Sequence, residues 1–386
     1  MKILLCHNYY KIRAGEAAVF DFEKTLLEDY GNEVIVYTRD NRELDSLSFA
    51  DKIKSFFQGF HNPRTVKDIE TIIKKNKPDV AHIHNVFPLI SPSIYRVLKK
   101  NKIPIVQTFH NFRFFSISGL LYCKPGKAPS AKSSLLASVL RKEYKNSFIY
   151  STWYAGILIF NKRIFLDYID KYIALNSFNR RLFVEAGIPE EKLLVVPNPA
   201  SASENLVTDS PEEYLLYAGR FSEEKGIFTF LRALQKVPGL KVKIIGSGQL
   251  EQQVVNFISE KKLNHVEFLG EQDKPNFDKY LANALVTVFP SECYENCSLT
   301  VVNSIFLGAP VLAAKVGGIT DFVIENKTGW LFEAGNADAI VEKLSWIKNN
   351  LPEVKALRKT VRKHGLEKFG KNKNYEQLKR ILDFGL

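Results

Sequence analysis

A glutamate and an asparagine separated by seven residues, Glu295 and Asn303, lie in a stretch whose residue types fit the binding of a phosphorylated sugar. The preceding run 285–289 is short, apolar and rich in β-branched residues, which predicts a buried parallel strand. Ser298 is a suitable N-cap for a helix over 299–307, and the free N–H groups of such a helix start predict an anion site. A carboxylate and an amide beside that site could exchange hydrogen bonds with sugar hydroxyls.

Two basic residues follow a second predicted strand, at 214–218. Arg220 and Lys225 lie in the loop that leads from this strand to a helix beginning at Ile227. Arginine can bind phosphate oxygens bidentately and lysine acts as a point charge, so the pair suits a site that neutralises a diphosphate. The alternative is that both are ordinary solvent-facing charges of a loop.

Glycines follow the next two predicted strands. Gly246 comes after 242–245 and Gly270 comes after 266–269, which predicts that their backbones border a nucleotide base. A lone Gly-x-Gly is weak evidence, and the chain has neither a Walker lysine nor the full Gly-x-Gly-x-x-Gly fingerprint.

The first half of the chain also places polar residues where strands end. His84 follows the predicted strand 80–83, and His110 and Asn111 follow 103–109. The alternation of strands and helices predicts an α/β fold with a parallel sheet, in which ligands bind beyond the carboxyl ends of the strands. The imidazole of His110 could donate a hydrogen bond to a sugar hydroxyl or to developing charge. His84 fits either an acceptor pocket or a polar strand terminus.

The loop after the first predicted strand, 3–6, contains Arg13 and Gly15. Gly15 would let the backbone come close to a ligand, and the helix that follows favours an anion at its start. A capping turn without a ligand is the alternative.

The formal charge is concentrated in the first half of the chain. Residues 1–200 have 30 Lys and Arg against 19 Asp and Glu, a balance of +11, whereas residues 201–386 have 24 against 23, a balance of +1. This imbalance predicts an anionic partner, either lipid head groups, a pyrophosphate-linked substrate or nucleic acid, with plain solubility charge as the alternative. No recognised nucleic-acid-binding module occurs in the sequence, so nucleic acid is not an expected partner.

Basic residues are interleaved with aromatic and aliphatic ones over residues 130–167. This pattern suits a membrane interface and predicts a peripheral contact with an anionic membrane surface, which would bring the protein to a lipid-linked acceptor. Helices packed on the first domain, with their basic residues in water, explain the pattern equally well.

The composition is that of a two-domain protein with full cores, because 45% of its 386 residues are hydrophobic. No apolar run reaches the ~18 residues of a membrane span, and no signal peptide opens the sequence. Cysteines at 6, 123, 293 and 297 lack the spacing of a disulfide framework or of a complete zinc site. We therefore expect a cytoplasmic protein, at the inner face of the membrane if residues 130–167 contact lipid.

As a set, these motifs resemble the retaining glycosyltransferases of family 4, the group 1 glycosyltransferases. Glu295 and Asn303 match the family's Glu-x7-Glu element, with Asn in place of the second Glu. The resemblance extends from Lys2 to about Glu342, and its further matches are Arg13 to Glu16, Gly219 to Gly226, Pro290-Ser291, Tyr294 to Asn296, Gly308 to Pro310 and Val316 to Ile319.

The resemblance implies the GT-B architecture, in which two Rossmann-like domains face each other across a cleft. The N-terminal, acceptor-binding domain would span 1–197, and the nucleotide-sugar-binding domain would span 213–370. A linker would occupy 198–212, and a C-terminal helix at about 371–386 would pack back on the first domain.

The implied reaction moves a sugar, of the hexosyl type, from a nucleotide diphosphate sugar to the hydroxyl of a glycan or lipid-linked acceptor with retention, in bacterial-type surface polysaccharide or glycolipid assembly. No Asp-x-Asp metal motif occurs, so neither a metal nor another cofactor is expected. The implied catalytic residues are His110, Arg220, Lys225 and Glu295. The implied donor-binding residues are Gly15, Arg220, Lys225, Gly246, Gly270, Glu295, Asn296, Cys297, Ser298, Leu299 and Asn303, and the acceptor-binding residues are Arg13, His84 and Asn111.

Asn303 is the main departure from the family pattern. An amide can accept a hydrogen bond from ribose but lacks the charge of a carboxylate, so nucleotide binding is expected to weaken by ~1 kcal/mol unless it is compensated. Two alternatives therefore stay open. One is a catalytically weak or inactive homologue that partners another transferase, and the other is a nucleotide-sugar epimerase, which shares the architecture.

Overall fold

The structure is a computed structural model that describes residues 1–11, 15–119, 135–208 and 210–385. The described residues form two compact units, one from residues 1–119, 135–197 and 374–385 and the other from residues 198–373. Each unit contains one parallel sheet of six strands with helices packed on it. The chain is therefore α/β throughout, as its alternating pattern predicts.

The first sheet is built from short, mostly apolar segments that the fold buries. Its strand order is β2-β1-β3-β4-β5-β6, and every neighbouring pair is parallel. The order of the strands changes direction between β1 and β3, so the carboxyl ends of these two strands form a ligand-binding edge of the kind found in open α/β sheets. The strands are β1 (Lys2–Tyr9), β2 (Glu33–Asp40), β3 (Val80–Asn85), β4 (Ile105–Thr108), β5 (Lys171–Ala174) and β6 (Leu193–Val195).

Seven helices of the first unit connect these strands or follow them. Helix α3 has Pro at its first position and Asn62 as its N-cap, which is a typical helix start. The helices are α1 (Gly15–Asp29), α2 (Phe49–Gln58), α3 (Pro63–Asn76), α4 (Ser93–Lys100), α5 (Leu135–Leu140), α6 (Phe148–Arg163) and α7 (Ser177–Glu185).

The second sheet has the order β9-β8-β7-β10-β11-β12, which is the strand order of a dinucleotide-binding Rossmann domain. Its direction changes between β7 and β10, so a ligand is expected beyond the carboxyl ends of these two neighbouring strands. The strands are β7 (Tyr214–Ala218), β8 (Lys241–Ile245), β9 (Val266–Gly270), β10 (Val286–Phe289), β11 (Val311–Ala314) and β12 (Gly329–Phe332).

The helices of the second unit follow its strands, and one more helix ends the chain. The last helix packs into the core of the first unit, where Leu378, Ile381 and Leu382 contact apolar residues of α1 and the sheet. The helices are α8 (Ile227–Leu234), α9 (Glu251–Glu260), α10 (Lys274–Asn283), α11 (Leu299–Phe306), α12 (Ala337–Asn349), α13 (Leu351–Phe369) and α14 (Lys371–Leu382).

The predicted strand at 214–218 has the bounds that the structure gives it. In the described part of residues 130–167, α5 and α6 are helical, as the alternative of helices packed on the first domain predicts. Sequence analysis also missed α2, although its apolar residues at 49, 53, 56 and 57 have helical spacing. No helix in the described ranges is both long and apolar enough to cross a membrane.

Candidate active site

The loops after β7 and β10 contact each other at the switch point of the second sheet. The backbone N–H of Glu292 donates to the carbonyl of Glu224 at 2.8 Å. Gly226 has φ +66°, and a Cβ there would lie 1.9 Å from the carbonyl oxygen of Pro290. Only glycine permits this approach, so Gly226 brings the two loops together.

Lys225 and Glu295 form an ion pair across these two loops. Their Nζ and Oε1 atoms lie 2.5 Å apart, and only 19% and 14% of the two side chains are exposed. Ser291 Oγ also donates to the same carboxylate oxygen at 2.8 Å. The structure therefore brings together two residues that sequence analysis predicted for one site from separate motifs.

The pair holds both residues in their charged forms. Burial by itself would raise the pKa of Glu295, but the Lys225 ammonium and the hydrogen bonds to the carboxylate outweigh burial and lower it. Burial would likewise lower the pKa of Lys225, but Glu295 outweighs it and raises this pKa. A carboxylate acceptor and an ammonium donor are thus present at neutral pH.

Helix α11 begins beside this pair, as predicted. Ser298 is its N-cap and accepts a hydrogen bond from the N–H of Val301 at 3.5 Å. At its other end, Gly308 adopts φ +87°, and the N–H groups of Gly308 and Ala309 donate to Ile305 and Ser304, which is a Schellman motif. The N–H groups of the helix start lie at the carboxyl edge of β10 and can bind an anion.

Arg220 extends into solvent at the same sheet edge. Its side chain is 61% exposed, and its guanidinium lies 3.6 Å from the carboxylate of Glu224. This ion pair is weak because the guanidinium is solvated and lies 3.6 Å from the carboxylate, so Arg220 can turn toward a phosphate at little cost.

The glycines predicted to border a base hold adjacent loops together. The N–H of Gly246 donates to the carbonyl of Gly270 at 2.9 Å. A Cβ at Gly246 would lie 1.9 Å from the carbonyl oxygen of Gly219. The loops after β7, β8 and β9 therefore form one continuous hydrogen-bonded edge, in which Gly246 is required for packing.

Asn303 is buried and bonds to the segment that begins the second unit. It is 2% exposed, and its Oδ1 accepts hydrogen bonds from the backbone N–H groups of Ser201 and Ala202 at 2.8 and 3.1 Å. Its Nδ2 lies 3.3 Å from Ser201 Oγ. The side chain of Asn303 therefore anchors the segment after Asn198, and its contact with ribose stays a prediction.

Three further residues predicted to bind the donor lie around the start of α11. Asn296 is half-buried in the loop, and Leu299 is the first residue of the helix. The thiol of Cys297 is buried, which raises its pKa to about 12, and its carbonyl accepts from Asn198 at 3.3 Å. Cys297 can thus contribute backbone groups to a ligand, but not a thiolate.

In the first unit, His110 and His84 lie side by side after β4 and near the end of β3. His84 Nδ1 lies 2.7 Å from His110 Nε2, and His84 Nε2 lies 3.3 Å from Glu23 Oε1. His84 is 3% exposed and both of its ring nitrogens have protein partners. His84 is therefore held by protein groups and its place in an acceptor pocket stays a prediction, whereas His110 is half-buried at the sheet edge.

Asn111 follows His110 and contacts a carboxylate from α1. Its Nδ2 donates to Glu16 Oε2 at 3.1 Å, and its Oδ1 accepts from the N–H of Arg113 at 3.0 Å. Burial raises the pKa of Glu16 to about 7, against the opposing effects of Arg113 and Asn111. Gly15 is the exposed first residue of α1, and Arg13 lies outside the described residues.

Sequence analysis included Glu16 in a motif at this edge but missed Glu23 and His82. The signal was available, because Glu16 and Glu23 are spaced seven apart and share a face of α1. His82 and His84 alternate along β3 and therefore face the same side of the sheet. A carboxylate on the apolar face of a helix and two histidines on a buried strand predict a polar cluster in the core.

Helices α2, α5 and α6 leave apolar side chains exposed on the first unit. Trp153 of α6 is buried and donates to the carbonyl of Phe56 in α2 at 2.6 Å, which ties the two helices together. Basic side chains are exposed beside the apolar ones at 52, 54, 142, 145, 162 and 163. We call this the α2–α6 surface, and its exposed apolar residues are Ile53, Phe57, Leu136, Leu140, Phe148, Ile149, Tyr150, Ile159 and Phe160.

Two protein-family models match the chain, one in each half. The model for "Glycosyltransferase Family 4" matches residues 23–204, and the model for "Glycosyl transferases group 1" matches residues 200–364. The two matches meet near the boundary between the two compact units.

Relatives of known sequence agree with these matches. An uncharacterized glycosyltransferase of Methanocaldococcus jannaschii is 24% identical over 98% of this chain and 95% of its own length. The lipopolysaccharide 1,2-N-acetylglucosaminetransferase of Salmonella typhimurium is 25% identical over 46% of this chain and 52% of its own length.

Solved structures show the same fold. Sucrose-phosphate synthase from Thermosynechococcus elongatus superposes with a TM-score of 0.71 at 18% identity, over 98% of both chains. HepE from Anabaena superposes with TM-scores of 0.69 in its complex with UDP and 0.67 in its complex with UDP-glucose, at 17% identity over 99% of both chains. These neighbours are GT-B glycosyltransferases with two Rossmann-like domains. The chain belongs to the family 4 glycosyltransferases, also called the group 1 glycosyltransferases.

Proposed function

We propose that this glycosyltransferase moves a sugar from a nucleotide diphosphate sugar to an acceptor hydroxyl and retains the configuration at the anomeric carbon. The observation that carries this proposal is the Lys225–Glu295 pair beside the start of α11, at the switch point of the second sheet. That edge of a Rossmann-like sheet is where a nucleotide is expected to bind.

The charges at this edge suit the departure of a diphosphate. In the reaction, the bond between the anomeric carbon and a phosphate oxygen breaks, and its electron pair stays with the nucleotide diphosphate. Lys225, the exposed guanidinium of Arg220 and the N–H groups at the start of α11 would stabilise that charge. The acceptor oxygen then bonds to the anomeric carbon and its hydrogen is released as a proton. Because these groups supply positive charge, we expect transfer to continue in the presence of EDTA.

Glu295 would orient the donor sugar by accepting hydrogen bonds from its hydroxyls. Its carboxylate stays ionised beside Lys225, and it keeps acceptor capacity beyond the bonds from Lys225 and Ser291. Asn303 has no place in this proposal, so ribose must be recognised by other groups near the loops after β7 and β10.

The comparisons support a uridine nucleotide as the first donor to test, because HepE binds UDP and UDP-glucose. The Salmonella relative acts on lipopolysaccharide, which supports an acceptor in surface polysaccharide or glycolipid assembly. A glycan or lipid-linked acceptor is therefore the proposed partner.

We further propose that the α2–α6 surface binds an anionic membrane. Phe57, Ile149 and Phe160 are 66%, 70% and 60% exposed, and lysines and arginines are interleaved with them. Exposed aromatic and aliphatic side chains enter the head-group region, and basic residues attract anionic lipids. A cytoplasmic protein held in this way would reach lipid-linked acceptors without a membrane span.

A thermal-shift screen against UDP, GDP, dTDP and ADP sugars tests the donor proposal, because a ligand that binds only the folded state raises the melting temperature. We expect one nucleotide class to stabilise the wild type and to stabilise the Lys225→Met variant less. A melting temperature that none of the four classes changes would contradict the proposal.

Assays of donor turnover test the two alternatives, an epimerase and an inactive homologue. A radiolabelled donor sugar should be transferred to an acceptor or to water, whereas an epimerase would return it as an epimer. An inactive homologue would show no donor turnover in the wild type. Turnover that disappears in Glu295→Ala would contradict that alternative.

A further inference from the structure

A cavity of about 380 Å³ lies in the first unit between the loop after β4, helices α5 and α6, and the turn after α7. Ten described residues line it, nine of which are apolar, and the tenth is Lys162. The lining residues Ile159 and Lys162 are exposed, so the cavity is open to the surface of the unit. Small-molecule sites typically have this size and this composition, an apolar wall with a small number of polar groups.

The walls of the cavity are held in place by packing within the unit. Phe114, from the loop after β4, packs edge to face on Phe109 and Phe165, with ring centroids 4.5 and 4.8 Å apart. Leu158 and Phe165 are each 5% exposed, so both contribute to the core of the unit as well as to the cavity. The cavity is therefore largely preformed, as small-molecule sites usually are.

The charge at the mouth of the cavity indicates the class of ligand. Lys162 lies in the last turn of α6 and is exposed, and Arg163 follows it. An ammonium at the edge of an apolar cavity suits a molecule that has a hydrocarbon chain with an anionic group beside it. A neutral apolar molecule would make no use of the ammonium, and a hydrophilic anion would make no use of the apolar wall.

The cavity lies between the α2–α6 surface and the sheet edge at the end of β4. Ile159 lines the cavity and is also one of the exposed apolar residues of the α2–α6 surface. Phe114 follows His110 by four residues, so their Cα atoms are at most about 15 Å apart. A chain could therefore enter from a membrane while its head group extends toward the carboxyl end of β4.

We propose that this cavity binds the hydrocarbon chain of a lipid-linked acceptor, and that the ammonium of Lys162 binds the phosphate that joins the chain to its head group. The role of the lipid as an acceptor rests on the proposed function, whereas the binding of a phosphorylated chain does not. This site goes beyond the contact of the α2–α6 surface with a membrane, because one chain leaves the bilayer and enters the protein.

Burial of a chain in a cavity of limited size determines how affinity depends on chain length. Each methylene that enters the cavity should tighten binding by up to about fourfold, the factor that corresponds to burial of one CH₂ group. The affinity should stop rising once the cavity is full. Partition into a membrane has no such limit, so the length dependence distinguishes the two kinds of binding.

Isothermal titration of the full chain with alkyl phosphates, below their critical micelle concentrations, tests the chain site without any membrane. We expect butyl, hexyl and octyl phosphate to bind with increasing affinity, and inorganic phosphate to bind far more weakly than octyl phosphate. Equal affinities for inorganic and octyl phosphate would mean that the basic residues alone bind the anion, and would overturn the proposal. Absence of binding by any alkyl phosphate would overturn it as well.

Variants of the lining assign this binding to the cavity. Ala186→Phe should prevent it, because Ala186 lines the cavity and a ring there fills part of the space. Ala356→Phe is the matched control, since Ala356 is exposed on α13 of the second unit. Octyl phosphate that binds Ala186→Phe as tightly as the wild type would overturn the proposal.

Lys162→Met tests the charge at the mouth. It should weaken the binding of octyl phosphate about threefold to fivefold, because an exposed ion pair is lost, and leave the binding of 1-octanol unchanged. Arg163→Met is the matched control, since Arg163 is an exposed neighbour that does not line the cavity. An equal loss in both variants would mean that the general positive charge of the helix end, and not Lys162, attracts the phosphate.

Photolabelling of the wild type locates the chain even if Ala186→Phe does not fold. An alkyl phosphate with a diazirine at the end of its chain should label peptides that contain residues 114–115 or 158–166, which include lining residues of the cavity. Labelling confined to other peptides would overturn the proposal.

Transfer assays distinguish this inference from the proposed function. Ala186→Phe should raise KM for a lipid-linked acceptor about tenfold or more, and leave transfer to the same head group without its lipid unchanged. If Ala186→Phe uses the lipid-linked acceptor as well as the wild type does, the chain site is wrong and the proposed function stands. If alkyl phosphates bind as stated but no sugar is transferred, the proposed function fails and the chain site stands.

Discussion

Lys225 and Glu295 neutralise each other in the absence of a ligand, so a donor that binds here must replace the contact between them. A diphosphate competes with Glu295 for the ammonium of Lys225, while a sugar hydroxyl competes with Lys225 for the carboxylate. A nucleotide sugar satisfies both groups at once, whereas a nucleotide alone satisfies only the lysine. The pair should therefore favour the complete donor over its product.

Replacing Glu295 with Gln distinguishes two effects of its carboxylate, the orientation of the donor sugar and the neutralisation of Lys225. We expect sugar transfer to fall about 100-fold, because the oriented carboxylate is lost. UDP should bind as tightly as before or more tightly, because Lys225 is no longer neutralised. Initial rates and isothermal titration with UDP measure the two effects.

Glu292→Gln is the control for this variant. It changes a carboxylate in the same loop whose contact is with Thr229, at 2.6 Å. Its transfer rate should stay near that of the wild type. Wild-type transfer by Glu295→Gln, or an equal loss in Glu292→Gln, would contradict the role given to Glu295.

The same pair predicts how stability depends on pH. The folded-state pKa of Glu295 is lowered below its ordinary value of 4.5, so its contribution to stability is present above about pH 4.5 and is lost as the pH falls through the lowered value. Thermal melts from pH 6 to 3 should therefore show a steeper loss of stability for the wild type than for Glu295→Gln. Parallel curves for the two proteins would mean that the pair does not stabilise the fold.

Asn303 should contribute more to stability than to nucleotide binding. Asn303→Ala leaves two backbone N–H groups, at Ser201 and Ala202, without their acceptor, and should cost about 2 kcal/mol of folding free energy. Urea unfolding measures this loss, and UDP titration of the folded variant should give nearly the wild-type affinity. A large loss of UDP affinity with unchanged stability would support the ribose-binding role.

At the scale of elements, the loops after β7 and β10 can pack against each other only because residue 226 is glycine. In Gly226→Ala, the new Cβ would overlap the carbonyl of Pro290, so the loops must separate and Lys225 must move away from Glu295. We expect at least a tenfold loss of transfer activity. Gly187→Ala is the matched control, since its φ of +101° brings similar backbone strain but its Cβ would meet no atom within 4 Å.

Transfer rates and melting temperatures of both variants measure this prediction. Gly187→Ala should lose some stability and keep its activity, because the strain is not coupled to the site. If Gly226→Ala kept wild-type activity, the contact between the loops would not position the lysine.

Local chemistry made much of the second unit predictable from sequence. An N-cap such as Ser298 depends on neighbours within a few residues, and the structure places it as predicted. The bond from Asn303 to Ser201 joins residues 102 positions apart, and no local pattern reports it. Resemblance to a family predicted a ligand contact there, but tertiary packing had given the side chain another partner.

In the first unit, the positions of the histidines could likewise be predicted from sequence, but their long-range contacts could not. Polar side chains near the ends of β3 and β4 were predictable, because His84 and Asn85 end β3 and His110 and Asn111 follow β4 within three residues. The contact of His84 with Glu23 joins residues 61 positions apart, and no local pattern reports it. Finding this contact required the three-dimensional structure.

At the scale of the whole molecule, the excess of positive charge and the α2–α6 surface occur in the same half of the chain. Residues 1–200 have nearly all of the net charge of +12. Attraction of basic residues to anionic lipid is screened by salt, whereas insertion of aromatic side chains is not. The two contributions to binding can therefore be measured separately.

Vesicle flotation of the full chain tests this surface. We expect binding to anionic vesicles at low salt, weaker binding at high salt, and weak binding to neutral vesicles. The double variant Phe57→Ser, Phe160→Ser should bind about tenfold or more weakly at any salt concentration, because burial of each ring contributes about 1.5 kcal/mol. Lys162→Glu with Arg163→Glu should lose mainly the salt-dependent part.

Val255→Ser is the control for the apolar variants, since Val255 is 38% exposed in α9 of the second unit and is not part of the α2–α6 surface. Its binding should equal that of the wild type. If the wild type failed to float with anionic vesicles at low salt, the exposed apolar residues of α2, α5 and α6 would need a protein partner instead. In that case the positive charge of the first half would act on the substrate alone, and transfer to a water-soluble acceptor should be as fast without vesicles as with them.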